Sequence, residues 1–207
     1  MATTTKLKPR RSPRQERSRE TVEAILEAAA QVFERHGYAA GTTNRIAERA
    51  GVSIGSLYQY FPNKDAIVVE LMQRHLDDLE EVAWPALRQL AAEPPPLRVG
   101  LTAIVLGAVA LHERSPGLHR VLFEELPQPP AVRARVQKIF DQASGLIGDY
   151  LRACSGVNAP DPALAGRMVF QVVDDVTHGA VIHPREGEEA NVYARETVTM
   201  LERYLRG

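Results

Sequence analysis

Polar, aromatic and basic side chains are gathered between Thr43 and Lys64, and their types suit contacts with DNA. Arginine can read guanine through two parallel hydrogen bonds, and tyrosine offers a flat ring and a hydroxyl to a thymine methyl or a phosphate oxygen. Lysine and a helix N-terminus both attract phosphate. The candidate DNA-contact residues are Thr43, Asn44, Arg45, Ser53, Ile54, Gly55, Ser56, Tyr58, Gln59, Tyr60 and Lys64.

The same segment has the spacing of a helix-turn-helix, which is the element that would position these side chains. Two helices that cross steeply need a small residue where they approach and a glycine in the turn, and Ala47 and Gly51 supply both. The apolar residues that lock the inner faces are Ile46, Val52 and Leu57. The pattern predicts helices over 43–50 and 54–60.

Alternative roles stay open for three of the candidates. As an alternative to DNA contact, Asn44 can simply cap its helix, as Ser53 is expected to do for the next helix. Tyr58 and Tyr60 can each pack inward rather than contact DNA. We therefore expect DNA contact from these side chains and keep the structural alternative beside it.

The segment also resembles the TetR family of transcriptional regulators, over about residues 18–70. The resemblance rests on Phe33-x-x-x-Gly37-Tyr38, then Thr43-x-x-Ile46-Ala47-x-x-Ala50-Gly51-Val52-Ser53-x-Gly55-x-Leu57-Tyr58-x-Tyr60-Phe61-x-x-Lys64-x-x-Ile67. It implies that the aromatic residues Tyr58 and Tyr60 contact DNA and that Lys64 binds phosphate. Gln59 departs from the pattern, at a variable position.

Charge is distributed unevenly along the chain. Residues 1–64 hold 11 Lys and Arg against 6 Asp and Glu, and the remainder holds 14 against 20. A basic module on an acidic body favours a polyanionic partner for the first part, although a solvated surface is the alternative. Residues 1–17 lack apolar side chains to bury, and we expect a flexible basic arm that either follows DNA or is a disordered tail.

Helical periodicity continues to the end of the chain, so the predicted fold class is all-α, with about nine helices. We expect a basic arm at 1–17, a three-helix helix-turn-helix DNA-binding domain at 18–64, and a larger helical ligand-binding and dimerisation domain at 65–207. The first helix is expected to stop at Gly37 and the fourth to end near Trp84-Pro85.

Family resemblance implies that helices five to seven, with part of the fourth, enclose a small-molecule ligand. The candidate pocket residues, each of which can also be ordinary core, are Met72, His75, Trp84, Ile104, His112, Phe123, Phe140 and Phe170. Asp174 and His178 lie one helical turn apart and can share a face as metal ligands. No third ligand is evident, so a hydrogen-bonded pair is favoured and no metal site is predicted.

The resemblance also implies that the last two helices pair with those of a second subunit, forming a homodimer that matches a palindromic operator. The apolar positions assigned to this interface, or else to the core, are Leu164, Met168, Val172, Val176, Val192, Val198, Leu201 and Leu205.

Several functional classes are disfavoured by composition. The sequence lacks a nucleophile–base pair, phosphate loop or metal cluster at motif spacing, so we expect no enzyme and no cofactor. Cys154 is the single cysteine and is expected to be buried. With neither a signal peptide nor a membrane span in view, a cytoplasmic location is expected.

The function expected from these observations is a repressor that a small molecule releases from its double-stranded DNA operator. The ligand would move the fourth helix and change the separation of the two recognition helices. The alternative is a DNA-binding regulator or architectural protein that a protein partner controls.

Overall fold

The structure is a computed structural model that describes residues 16–207, with side chains from Ser18 onward. The predicted arm at 1–17 lies outside the described residues, apart from the first two positions of the first helix. The described chain is helical, without strands, which confirms the all-α prediction. Its helices are α1 Glu16–Ala40, α2 Thr43–Arg49, α3 Ile54–Tyr60, α4 Lys64–Ala92, α5 Leu97–His112, α6 Pro116–Phe123, α7 Pro130–Ala153, α8 Pro162–Ile182 and α9 Ala190–Arg206.

Side-chain caps fix the starts of the short helices. Thr42 accepts a hydrogen bond from the Arg45 N–H at the start of α2, and Ser53 accepts one from the Ser56 N–H at the start of α3. Gly51 ends the turn between them with a φ of 67°, a conformation that glycine adopts without strain. The predicted turn chemistry of the helix-turn-helix is therefore confirmed.

Two helices extend beyond their predicted ends. The regular part of α1 does break at Gly37, whose φ is 67°, but a further helical turn follows it to Ala40. The end predicted for α4 at Trp84-Pro85 is wrong, since the helix continues to Ala92. Pro85 leaves the carbonyl of Glu81 without its helical donor, and because both residues are exposed, solvent can satisfy that carbonyl.

The described chain divides into two compact units. Unit 1 contains the residues up to His75 together with Gly117–Val132, and unit 2 contains Leu76–Pro116 together with Arg133–Gly207. The boundary expected at residue 64 between the DNA-binding and ligand-binding domains stays a prediction.

The core of unit 1 holds the helix-turn-helix against α1. Ile25, Phe33 and Ile46 are completely buried, as are Leu57 and Phe61. Burial of a side chain of this size stabilises the fold by about 1.5–3 kcal/mol. The helix-turn-helix is thus anchored by buried residues that cannot reach a partner, as expected for Ile46 and Leu57.

The core of unit 2 is formed mainly by α5, α8 and α9, with Tyr150 of α7 completely buried. The Tyr150 hydroxyl donates to the Leu97 carbonyl over 3.1 Å. It passes so close to Gly100 that a Cβ there would lie 2.1 Å from the hydroxyl oxygen, which requires glycine at this contact. Cys154 is buried beside Tyr150, as predicted.

Within residues 16–207, no helix combines the length and the apolar character that a bilayer crossing requires.

Candidate DNA interface

One face of α3 is open to a partner while the other is locked into unit 1. Ile54 is 38% exposed and Tyr58 is 41% exposed, whereas Leu57 between them is fully buried. Gln59 is exposed as well. Leu57 fixes the inner face of α3 in the core. Because side chains project from a helix at fixed angles, this also fixes the direction in which Ile54 and Tyr58 project.

The first turn of α3 combines a tight cap with free space. The Ser53 hydroxyl accepts from the Ser56 N–H over 3.0 Å and lies 2.8 Å from the Ser56 hydroxyl. Among residues 16–207, a Cβ added to Gly55 would meet only the Ser53 hydroxyl, at 3.8 Å. Packing within the protein therefore does not require glycine here, and the space above Gly55 is available to a partner's backbone.

Tyr58 and Thr43 form one polar pair across the helix-turn-helix. Their hydroxyl oxygens lie 3.1 Å apart, which ties the start of α2 to the exposed face of α3. Tyr60 differs, because it is half-buried and its hydroxyl accepts a hydrogen bond from Ser18 over 3.0 Å. The structure thus exposes Tyr58 more than Tyr60, and DNA contact by either residue stays a prediction.

The other two candidates on α2, Asn44 and Arg45, are exposed and adjacent in sequence. Thr42 caps this helix, so the capping alternative for Asn44 does not apply. The Arg45 guanidinium donates to the Ala40 carbonyl over 3.1 Å and lies near the end of α1. Asn44 and Arg45 remain predicted contacts.

Lys64 belongs to a network of contacts that the sequence pattern does not indicate. Its ammonium donates to the Tyr38 carbonyl over 2.6 Å and lies 3.7 Å from the centre of the Tyr38 ring. The Tyr38 hydroxyl donates to Asp65. Burial lowers the pKa of Lys64, and burial together with the Asp65 hydrogen bond raises the pKa of Tyr38 to about 12.

Tyr38 was recognised in the sequence only as part of a motif. Its partners Lys64 and Asp65 lie 26 and 27 residues further along the chain, beyond the range of helical periodicity. The network fixes the start of α4 against the end of α1, and so orients the ammonium of Lys64.

The segment containing α6 is also joined to α1 within unit 1. The Glu34 carboxylate accepts hydrogen bonds from the N–H groups of Gly117, over 3.1 Å, and Leu118. In return the Tyr38 N–H donates to Glu125 over 2.9 Å. Glu34 thus caps α6 from another helix, a role that no local pattern indicates.

The predicted pocket residues divide between the two units. In unit 1, Met72 is fully buried, and the His75 ring lies 5.5 Å from Phe123 and hydrogen-bonds His119 over 3.2 Å. In unit 2, the Phe140 and Phe170 rings meet edge to face, with centres 4.6 Å apart.

The other unit 2 candidates are distributed through its interior. Ile104 packs against the core, and His112 is buried with its Nδ1 2.8 Å from the Ala108 carbonyl. Trp84 is buried and donates to Glu80 over 3.1 Å. Their roles in ligand binding stay predictions.

An ion cluster joins α4 to α7 in unit 2. The Arg135 guanidinium donates to Glu80 over 2.7 Å and to Asp77 over 2.6 Å. Burial acts to raise the pKa of Glu80, but the hydrogen bonds from Arg135 and Trp84 lower it on balance. The carboxylate is therefore held in its charged form.

An apolar surface, the α8–α9 face, covers the outside of unit 2. It contains Leu164 and Met168 of α8, which are 45% and 41% exposed, and Val192, Met200 and Tyr204 of α9, which are 44%, 50% and 49% exposed. The Tyr204 hydroxyl lies 3.3 Å from the Met168 sulfur, so the two helices form one continuous surface.

The residues expected at a dimer interface are only partly on this face. Val172 and Val176 are half-buried, whereas Val198, Leu201 and Leu205 are at most 4% exposed, so the core alternative applies to these three residues. α9 has apolar positions on two sides, and the sequence does not distinguish the side that faces α5 and α8.

Two family models match the chain. "Bacterial regulatory proteins, tetR family" matches residues 25–71, and "Tetracyclin repressor-like, C-terminal domain" matches residues 96–205. The first covers the helix-turn-helix described above, and the second covers most of unit 2.

Curated relatives are similar over most of this chain. The HTH-type transcriptional activator FasR of Mycolicibacterium smegmatis is 33% identical over 72% of this chain, which spans 65% of that protein, just under two thirds. The nucleoid occlusion factor SlmA of a Marinomonas species is 23% identical over 77% of this chain and 80% of its own.

A solved structure with the same fold is the transcriptional regulator FadR from Bacillus subtilis in complex with stearoyl-CoA. It superposes with a TM-score of 0.62 and 19% identity, covering 86% of this chain and 96% of that one.

Proposed function

The chain belongs to the TetR family of bacterial transcriptional regulators, and on this premise we propose that it is a dimeric repressor that a small-molecule ligand releases from a palindromic operator. The observation that carries the proposal is the exposed face of α3, where Tyr58 projects beside the open space at Gly55 while Leu57 anchors the helix. Such a helix suits the major groove.

The α8–α9 face supports a second copy of this chain as the partner. Exposed apolar side chains on two adjoining helices suit a self-complementary interface, in which each subunit presents the same surface. Two recognition helices would then meet half-sites about 34–36 Å apart.

For the ligand we propose a fatty acyl-CoA. The support is the stearoyl-CoA bound by the FadR structure, which shares the fold, together with the apolar and aromatic interior of unit 2, where the Phe140 and Phe170 rings meet edge to face. A coupling of about 1–3 kcal/mol between ligand and DNA would weaken operator binding by about 5–150-fold. FasR is named an activator, so the direction of regulation is part of the proposal.

Selection of pooled random duplexes by the purified protein, followed by sequencing, tests DNA reading. We expect a palindrome that Tyr58→Ala and Lys64→Ala both weaken, with Lys138→Ala, an exposed lysine of α7, as the matched control. Because Lys64 also holds the Tyr38 carbonyl, the melting temperature of each variant is measured alongside. No enrichment by folded protein at moderate salt would contradict the proposal.

The ligand is tested by titrating stearoyl-CoA into the protein–operator complex, with free coenzyme A as the control. We expect a higher melting temperature for the protein and a weaker operator affinity. Unchanged operator affinity at saturation would exclude release by this ligand class.

A second candidate is a DNA-binding protein that takes no small ligand and answers to a protein partner. The similarity to the nucleoid occlusion factor SlmA over 80% of its length favours it. Operator selection without any acyl-CoA binding would support this candidate. For both we propose a binding function without enzymatic activity, in line with relatives that are named as regulators.

A further inference from the structure

We propose that Ser144 of α7 donates a hydrogen bond to the acyl carbonyl oxygen of the ligand, and so anchors the head of the acyl chain within unit 2. This inference rests on the proposed ligand class, a fatty acyl-CoA, and adds the residue that recognises its carbonyl group. It is carried by a buried hydroxyl group that lies one helical turn from the Phe140–Phe170 ring pair.

The hydroxyl of Ser144 differs from the other buried hydroxyl groups of unit 2. The residue is 2% exposed, and among the described residues its Oγ has no hydrogen-bond partner. Thr177 and Thr197 are buried as well, but each donates to the carbonyl four residues earlier, over 2.7 Å and 2.8 Å. A buried hydroxyl without such a bond destabilises the folded protein unless a bound molecule supplies the acceptor.

Ser144 lies where the backbones of α7 and α8 are in direct contact. A Cβ added to Gly166 of α8 would stand 2.5 Å from the Ser144 carbonyl oxygen and 2.6 Å from the nitrogen of Gly148. Both distances are shorter than real Cβ contacts, so the crossing requires glycine at position 166. The crossing therefore fixes the position of Ser144 against α8.

One turn away, aromatic side chains form the contact between the same two helices. Phe140 precedes Ser144 by four residues on α7, and Phe170 follows Gly166 by four residues on α8. Their rings meet edge to face, with centres 4.6 Å apart. Because the Cα–Cβ bonds of a helix lean towards its N-terminus, the side chain of Ser144 leans towards the turn that carries Phe140. The hydroxyl is thus directed towards the ring pair.

These groups match the chemistry of the head of an acyl chain. Apolar rings suit the methylene groups, and a serine hydroxyl can donate to the carbonyl oxygen. Phe140 and Phe170 are half-buried, so they can rotate aside for the chain without disturbing the fully buried core. A free fatty acid offers an oxygen acceptor at the same place, so the test includes both sources.

The test measures binding to the purified full chain by calorimetry, with stearoyl-CoA and with S-octadecyl-CoA, a thioether in which a methylene group replaces the carbonyl. Wild type should bind stearoyl-CoA about two- to tenfold more tightly than the thioether, the range for one hydrogen bond to a neutral acceptor. Ser144→Ala should remove this preference by weakening the binding of stearoyl-CoA alone. The free variant should melt at the same or a higher temperature, because a buried hydroxyl without a partner has been removed.

Thr197→Val is the matched control, since it removes a buried hydroxyl that already has its acceptor within the protein. It should leave the preference for stearoyl-CoA unchanged. Stearate is titrated in parallel. Weaker binding of stearate in Ser144→Ala, with stearoyl-CoA unaffected, would support the anchor and assign it to the free acid.

The anchor and the ligand class fail in different ways. If the affinities of Ser144→Ala for stearoyl-CoA and for stearate both equal those of wild type, the anchor is overturned and the ligand class stands. Equal binding of stearoyl-CoA and the thioether by wild type, with stearate unaffected by Ser144→Ala, overturns the anchor too. If wild type binds none of the three compounds, the proposed ligand class fails and the anchor with it.

Discussion

At Gly55 the effect of a substitution on packing within the protein can be separated from its effect on DNA binding. Among the described residues of unit 1, nothing approaches the position where its Cβ would stand more closely than the Ser53 hydroxyl at 3.8 Å. Lys64 is the opposite case, since its ammonium serves the Tyr38 carbonyl as well as any phosphate. A substitution at Gly55 therefore tests DNA binding alone, whereas one at Lys64 also removes a hydrogen bond within the protein.

Gly55→Ala should weaken operator binding while the protein stays as stable or becomes more stable. Alanine favours a helix over glycine by about 0.8–1.0 kcal/mol, whereas its methyl group would intrude on the space proposed for DNA. We expect a loss of affinity of about tenfold or more, about 1.4 kcal/mol.

Fluorescence anisotropy with a labelled operator and thermal unfolding measure the two effects of Gly55→Ala. Gly107→Ala is the matched control, because an added Cβ on this exposed part of α5 meets no described residue within 4 Å. Equal operator affinity for Gly55→Ala and wild type would show that DNA does not approach this backbone.

At the scale of elements, hydrogen bonds between helices distant in sequence set the architecture of unit 1. Glu34 of α1 holds two backbone N–H groups at the start of α6, and Glu125, just after α6, receives the Tyr38 N–H. α6 begins at Pro116, and the N–H groups of Gly117 and Leu118 in its first turn both donate to the Glu34 carboxylate. Its first turn therefore depends on Glu34.

Glu34→Ala should loosen the first turn of α6 and cost about 0.5–2 kcal/mol, as removal of a helix cap does. Amide hydrogen exchange should speed up at Gly117 and Leu118. Glu27→Ala, at an exposed position of the same helix, is the control. Unaltered exchange at both amides would mean that Glu34 does not cap α6 in solution.

The ion pair between Glu80 of α4 and Arg135 of α7 should stabilise the fold less at acid pH. The pKa of Glu80 in the folded protein lies below its ordinary value of 4.5, so the contact stabilises fully above that value and is lost as pH falls through the lowered pKa. Because the pair is partly exposed, the contribution is about 0.2–1 kcal/mol.

Denaturant unfolding of wild type and Glu80→Gln over an acid series measures this dependence. The difference in unfolding free energy should shrink as pH falls below 4.5. Glu81→Gln, which changes the adjacent exposed carboxylate, should show no such trend. A difference that is constant with pH would refute the role given to Glu80.

The sequence predicts features that depend on residues close together in the chain better than features that depend on distant ones. The limits of α2 and α3 were predictable because Thr42, Ser53 and Gly51 act within a few residues. The end of α4 was not, since the effect of Pro85 depends on whether its surroundings are exposed.

Long-range contacts were beyond the sequence pattern for a related reason. The partners of Tyr38 and Glu34 lie between 26 and 87 residues away, and helical periodicity carries no signal over such separations. Periodicity likewise identified α9 as apolar but left open whether Leu201 faces the core or a partner.

On the scale of the whole molecule, the α8–α9 face is expected to determine the oligomeric state of the protein. Met168→Glu places a charge on this exposed surface, where the monomer tolerates it and an apolar interface does not. We expect a monomer by sedimentation and a loss of operator affinity, because one half-site alone is then read.

The control for Met168→Glu is Leu106→Glu, an exposed apolar residue of α5 that is 46% accessible and lies outside the α8–α9 face. It should leave both the mass and the affinity unchanged. A dimer that persists in Met168→Glu would assign the interface to another surface.

The burial of Cys154, the single cysteine of the chain, has a practical consequence for following the molecule at work. A thiol introduced at the exposed Glu48 would be the one that a reagent reaches readily, so each chain would carry one spin label at a known position on α2. In a dimer, pulsed electron paramagnetic resonance between the two labels then measures the separation of the two helix-turn-helix elements directly, with and without acyl-CoA.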